Sequence, residues 1–263
     1  MAQPNKPIQS DIAWSTIDSI TIRGLSLPDE ILGNYNLGDF SFLQLTGKAP
    51  TPEQSRMFNA IIVALVEHGL TPSALAARIT YAGAPESLQA AVAAGISGLG
   101  TVFVGTMEGA TRLLYQALPL DAPDPDDFET LARDAVARFR ADKKLVPGIG
   151  HAIHKNGDPR TPRLFQIAEE TGTAGRYVKL IKAVQLEAEK SYGKSLPLNA
   201  TGAIGAICCE FGFPEQVIRG FGVMARAIGL VGHIMEEVEK PLALEVVRRA
   251  EEEASRHLRP PGE

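Results

Sequence analysis

From Thr51 to the C-terminal tail, almost every local signal in this chain is helical, and that bias removes most architectures at once. Thr51-Pro52-Glu53-Gln54 supplies an N-cap, a proline at the first helical position and a glutamine at the capping-box position. Phe58, Ile61, Ile62, Leu65 and Val66 follow at helical spacing, and Gly69 stops the run after Glu67-His68. Further helices are expected over 72–80, 85–98, 101–117, 125–144, 160–171 and 173–192, then near 197–211, 214–238 and 241–257. Within 125–144, Phe128, Leu131, Ala132, Ala135, Val136 and Phe139 share one face. Residues before about 50 read as irregular, with one short hairpin or an extended arm over Ser15–Gly24. The expected class is all-α.

A chain of 263 residues has enough surface to bury one large domain or two modest ones. With 44% hydrophobic and 22% charged residues it is not globally disordered. A net charge of −5 argues against nucleic acid or an anionic membrane as the main partner, yet a few local arginines suffice for a small anion. Cys208 and Cys209 are adjacent, so they form neither a disulfide framework nor a CxxC motif and read as buried structural thiols. Residues 1–11 are polar, and no run of about 18 apolar residues stands out, so a reducing, cytoplasmic location is expected. The acidic, proline-rich Leu120–Asp127 reads as a surface connection where a smaller helical subdomain enters a larger one, and the tail from Arg259 should fray.

Chemistry concentrates in Val146-Pro-Gly-Ile-Gly-His151 and the Asp158-Pro159-Arg160 that follows. Gly148 and Gly150 permit unusual dihedrals and close backbone approach to a ligand. His151 can donate to a developing oxygen charge, and the planar fork of Arg160 can hold a carboxylate. His68 ends a helix, where a cation or an anion-binding donor is favoured. Arg226, alone on the apolar Phe221–Gly229 stretch, must snorkel, pair or face a ligand cavity. The other charged positions read blandly: His154 and His257 as surface residues, His233 as a satisfied core or groove residue, and Glu236, Glu237 and Glu239 as a solvated face. Gly95-Ile-Ser-Gly98-Leu-Gly100 has the wrong order for a dinucleotide loop, so close helix packing explains it better. No His, Cys and carboxylate set has metal-ligand spacing, and no metal is expected.

Taken together, Glu67-His68-Gly69, Pro147-Gly-Ile-Gly-His151, Asp158-Pro159-Arg160 and Phe221-Gly222 through Arg226-Ala227 resemble the citrate synthase superfamily. The likeness is closer to its citryl-CoA lyase branch, including the C-terminal part of ATP citrate lyase. It implies a two-domain, all-α fold, with 1–105 and 206–263 as the large domain and 106–205 as the small one, and a homodimer. By resemblance His151 polarises the keto or hydroxyl oxygen of the substrate, while His68, Arg160 and Arg226 hold its carboxylates. Pro147, Gly148, Ile149 and Gly150 would approach coenzyme A, which enters as a thioester substrate and not as a bound cofactor.

Two positions depart from the family pattern. Where citrate synthases carry a second histidine, Gly100–Gly105 has none and places Phe103 there, as the citryl-CoA lyase branch tends to do. Where the family's base is an aspartate, the chain reads Asn199-Ala200-Thr201. A threonine hydroxyl stays protonated near neutral pH, which forfeits an acid–base contribution of roughly 10²–10⁴-fold. Thr201 is then the third candidate catalytic residue, beside His151 and His68, and Glu67 or Glu108 could supply a compensating carboxylate. The implied activity is cleavage or formation of a C–C bond between an acyl-CoA and an oxo acid such as oxaloacetate. The alternative is a non-catalytic protein that keeps the carboxylate and coenzyme A pocket.

Overall fold

The computed structural model describes residues 8–151 and 153–259; the first seven residues read for targeting and the tail from Pro260 lie outside them. Strands β1 (Ala13–Ser15), β2 (Ile20–Ile22) and β3 (Leu25–Ser26) form an antiparallel sheet in the order β1-β2-β3. The tight β2–β3 turn is Arg23-Gly24, both at positive φ, as a two-residue hairpin turn demands. A π-helical turn at Leu27–Ile31 and helix α1 (Leu37–Thr46) complete an arm with more structure than the sequence reading expected. Asn36 caps α1 by accepting from the Asp39 amide, Gly47 closes it in the left-handed region, and Phe42 and Leu43 anchor it in the core.

Among the described residues, ten further α-helices follow: α2 (Pro52–Val66), α3 (Pro72–Gly83), α4 (Leu88–Ser97), α5 (Gly105–Ala117), α6 (Phe128–Ala141), α7 (Arg160–Glu170), α8 (Arg176–Tyr192), α9 (Ala200–Glu210), α10 (Glu215–Glu239) and α11 (Ala243–Ser255), with a 3-10 turn at Arg256–Leu258. The capping box at Thr51 and Gln54 is formed. The class is all-α with a small sheet. Helix α2 stops at Val66, short of Gly69, because Glu67 takes an extended conformation.

Helix α9 runs through the centre, with Ala203, Ile204, Ala206, Ile207, Cys208 and Cys209 all buried. It packs on α5, where a Cβ on Gly205 would stand 3.0 Å from Ala110 Cβ and from Met107 O, and on α7 and α8. Glu210, at its end, accepts amide hydrogen bonds from Gly175, Tyr177 and Val178 and so caps α8 from a distance. Phe42, Phe58, Phe213 and Phe221 meet edge-on or tilted beside it, with ring centroids 4.9–6.2 Å apart. Each such buried ring contributes about 1.5–3 kcal/mol.

Helix α10 is long and apolar enough to cross a membrane by length and composition, a length of apolar chain the sequence reading passed over. In the fold it packs against α2, α3, α4 and α5. Of the Gly95–Gly100 glycines, Gly95 serves close packing, since a Cβ there would meet Leu230 Cδ1 at 2.7 Å and Ser73 O at 2.8 Å, while Gly100 has nothing within 4 Å. One buried cluster extends from Phe42 to Ala225, and the 205/206 position lies inside α9.

Candidate functional site

The His151 loop is welded to the first turn of α9. Gly148 sits at φ +82°, and a Cβ on Gly202 would stand 2.7 Å from its carbonyl oxygen, so neither residue tolerates a side chain. Asn199 does most of the joining. Its amide donates to Gly148 O (3.0 Å), its Nδ2 donates to Gly150 O (2.6 Å), and its Oδ1 accepts from the Gly202 amide (3.1 Å). The Gly150 amide, at φ +85°, donates to Pro197 O at 2.7 Å.

His151 leaves this loop with its chemistry set. Its Nδ1 accepts the amides of Ile153 (3.1 Å) and His154 (3.0 Å), so in the neutral ring the proton is on Nε2. Burial lowers its pKa despite the nearby Asp158, which keeps it a neutral donor. Asp158 is buried and fully committed: Oδ1 accepts from the Arg160 amide and Nε, and Oδ2 from Arg160 Nη2 and the Ala200 amide, at 2.9–3.1 Å. Burial alone would raise its pKa, but the Arg160 and Ala200 hydrogen bonds bring it down to about 2. The Nε–Nη2 fork of Arg160 is therefore spent on Asp158, and Nη1 donates to Ala64 O at 3.4 Å. A ligand would meet its Nη1–Nη2 edge.

Opposite, between α2 and α3, Glu67 Oε1 accepts the amides of His68 and Gly69, both at 2.7 Å, and fixes the turn that presents His68. Burial opposes the Glu67 charge, but the His68 amide and the facing His233 hold its carboxyl below the usual range. Burial first, and the Arg160 charge next, lower the pKa of His68. Arg226 is buried, with Glu67 Oε1 3.6 Å away, and its Nε and Nη1 have no hydrogen-bond partner among the described residues. Burial pulls its pKa down. A buried guanidinium with free donors is costly unless an anion completes it.

Thr201 stands in the first turn of α9, donating to Asn199 Oδ1 (2.6 Å) and accepting from Thr106 (2.9 Å). Its hydroxyl is part of the scaffold that holds the loop. Neither suggested carboxylate is free to replace an aspartate. Glu108 is held by Arg112 and Arg219 at 2.7 and 2.8 Å, and Glu67 by the turn it caps. Phe103, half-exposed, lies in the turn before α5.

Three expectations are corrected. His154 is half-buried, and its Nε2 is 3.3 Å from His68 Nε2, so it belongs to the site and not to the bland surface. His68, His151 and His154 together place one ring nitrogen each within 4.8 Å of the others, a cluster the linear spacing hides. Glu237 is buried rather than solvated: it accepts from Arg78 Nη1 at 2.9 Å and from the amides of Leu242 and Ala243. Arg78, fully buried on α3, was not singled out from the sequence. It also donates to His233 Nδ1 (3.1 Å) and pairs with Glu236, and His233 Nε2 faces Glu67 Oε2 at 3.1 Å. The chain Arg78–His233–Glu67 thus backs the His68 turn. The only sequence hint was a lone arginine in the apolar Ala76-Ala77-Arg78-Ile79 stretch.

The loop's other side borders a small apolar cavity of about 60 Å³, lined by Leu145, Val146, Ile149, Tyr192, Lys194 and Leu196. A match to the citrate synthase C-terminal domain covers residues 35–248. The chain belongs to the citrate synthase family. Among solved structures of this fold, citryl-CoA lyase from Hydrogenobacter thermophilus is 34% identical with a TM-score of 0.79, covering 89% of this chain and 88% of that one. The fold also matches ATP citrate lyase from Methanothrix soehngenii in complex with citrate and coenzyme A, at 22% identity, TM-score 0.71, 91% of this chain and 40% of that one. Citrate synthase 2 of Bacillus subtilis is 23% identical over 220 residues, covering 82% of this chain. The chain spans 56% of that relative's length.

Proposed function

We propose that this protein is a citryl-CoA lyase-like enzyme, breaking or forming the C–C bond between an acyl-CoA and an oxo acid such as oxaloacetate. One observation carries the reading: His151 is a neutral imidazole whose tautomer is fixed with the proton on Nε2, 4.0 Å from Asp158 Oδ2, beside His68, Arg160 and an Arg226 that keeps two donors without hydrogen bonds. Fixed donors of this kind stabilise charge that develops on oxygen. In the cleaving direction the C–C electron pair goes to the acyl-CoA fragment as its enolate, and the hydroxyl carbon becomes the oxo acid's carbonyl, held by His151. The hydroxyl proton leaves to solvent and a proton returns to the enolate carbon.

Arg226 and the outer edge of Arg160 hold carboxylates. Pro147, Gly148, Ile149 and Gly150 flank the coenzyme A thioester. Two lobes meeting near 105/106 and 205/206, a homodimeric assembly and a cytoplasmic location complete the proposal.

Mixing the protein with citryl-CoA and following oxaloacetate through malate dehydrogenase and NADH oxidation tests it. Turnover is expected; a folded protein that releases no oxaloacetate overturns it. One observation favours a second reading, a non-catalytic carboxylate and coenzyme A binder: the Thr201 hydroxyl is tied to Asn199 and Thr106, and no free carboxylate stands in for the family's base. Binding of citrate without any turnover would establish that reading.

A further inference from the structure

His154 enters the site by a short route. Ile153 is 72% exposed, whereas His154 is half-buried against His68 and His151. Its amide holds His151 Nδ1, its ring centroid lies 4.5 Å from that of His151, and its Nε2 is 3.3 Å from His68 Nε2. Three imidazoles so close suit either a transition metal or an anion, and two observations decide between them.

First, a metal needs a lone pair from each ring. His151 has its Nδ1 lone pair in two backbone hydrogen bonds, so its Nε2 carries a proton; becoming a ligand would cost both bonds. Second, among the described residues the nearby groups leave hydrogen-bond donors over but no carboxylate. Arg226 stands 3.6 Å from Glu67 yet keeps Nε and Nη1 without hydrogen bonds, Arg160 flanks the histidines, Asp158 is consumed by Arg160 and the Ala200 amide, and Glu67 caps the His68 turn. An anion accepts from such donors, whereas a divalent cation would lie beside two guanidinium groups with no free carboxylate to bind it.

We propose that His154 is a substrate-binding residue of this pocket, which hydrogen-bonds His68 when the site is empty and donates to a carboxylate of the oxo acid or citryl group when it is filled. The inference rests on the carboxylate-site reading above. It adds a donor that the family motifs do not mark, and it explains why a ring on the turn beyond His151 is half-buried.

The test compares wild type, His154→Leu, His154→Asn and Arg226→Leu, each checked for native helicity by circular dichroism. Oxaloacetate and citrate binding is measured by calorimetry, with KM and kcat on citryl-CoA. His154→Leu is expected to weaken dicarboxylate binding and raise KM by about tenfold or more, the size of one charge-assisted hydrogen bond, with a smaller change in kcat. His154→Asn, which keeps a donor, should recover most of that loss. If His154→Leu binds both ligands as tightly as wild type while Arg226→Leu does not, this proposal fails and the carboxylate site stands. If wild type binds neither ligand, both fall. Titration with Zn²⁺ alone supplies the remaining arm: stoichiometric Zn²⁺ binding lost in His154→Leu, with citrate affinity unchanged, would overturn the anion assignment.

Discussion

At the scale of single residues, Asp158 has more contacts to lose than any other carboxylate at the site. It holds the Arg160 fork and the Ala200 amide while buried, so Asp158→Asn should cost about 2 kcal/mol, a charge-assisted bond or more. The sign of its pH dependence is set by its pKa of about 2, against 3.8 ordinarily. A depressed carboxyl stabilises the fold above its unfolded value and loses that contribution as pH falls through the folded one. The difference in melting temperature between wild type and Asp158→Asn should therefore be full above about pH 5 and vanish between pH 4 and pH 2. Thr201 makes the opposite kind of statement, since it lacks a charge where a base is wanted. Thr201→Asp should raise exchange of the acetyl-CoA methyl protons with deuterated water by roughly 10²-fold or more. An unchanged exchange rate would mean that residue 201 does not face the thioester α-carbon.

At the scale of elements, the contact between the His151 loop and the start of α9 is made by glycines that could not be anything else. Gly202→Ala would drive a methyl group to within 2.7 Å of Gly148 O, and Gly148→Ala would add a left-handed strain at φ +82°. Each should cost about 1–3 kcal/mol in chemical denaturation and displace His151, lowering ligand affinity as well. Gly220 is the internal control: it is exposed inside α10 with nothing within 4 Å of a Cβ, so Gly220→Ala should stabilise by about 0.5–1 kcal/mol. The helices themselves were legible because their signals are local. Thr51 with Gln54, Pro72 and the apolar stripe of α6 all act within a turn or two of where they stand. Helix α1 was missed although Asn36 and Gly47 mark its ends, because Leu37, Phe40, Phe42, Leu43 and Leu45 are spread around it and leave no one-sided apolar stripe.

At the scale of the whole molecule, buried charge joins elements far apart in the chain. Arg78 on α3 is fully buried against His233 and Glu237 of α10, and Glu237 in turn caps the start of α11. Removing one partner strands the other, so Arg78→Ala should lose about 3–5 kcal/mol by denaturant unfolding, while the paired change Arg78→Met with Glu237→Gln should lose less than the sum. Among the described residues, α10 also carries the most exposed large apolar side chains of any helix, including Ile228, Val231, Met235 and Val238 at helical spacing. Sedimentation should give about twice the 28.1 kDa chain mass if a second copy assembles as proposed; a single-chain mass would remove the homodimer.

The sequence by itself determined the helical class, nearly all the helix positions, and the identity of His68, His151, Arg160 and Arg226 as the residues to watch. Periodicity, caps and glycine turns act over three or four residues, and a motif such as Pro147–His151 is contiguous, so one dimension suffices to read them. Tertiary structure decided which charged groups meet. His154 joins His68 across 86 positions, and Arg78 meets His233 across 155. It also decided that Asp158 occupies the Arg160 fork and that Arg226 keeps free donors. Such pairings depend on how helices pack, and packing is fixed by the sum of many weak apolar contacts that no single stretch of sequence displays.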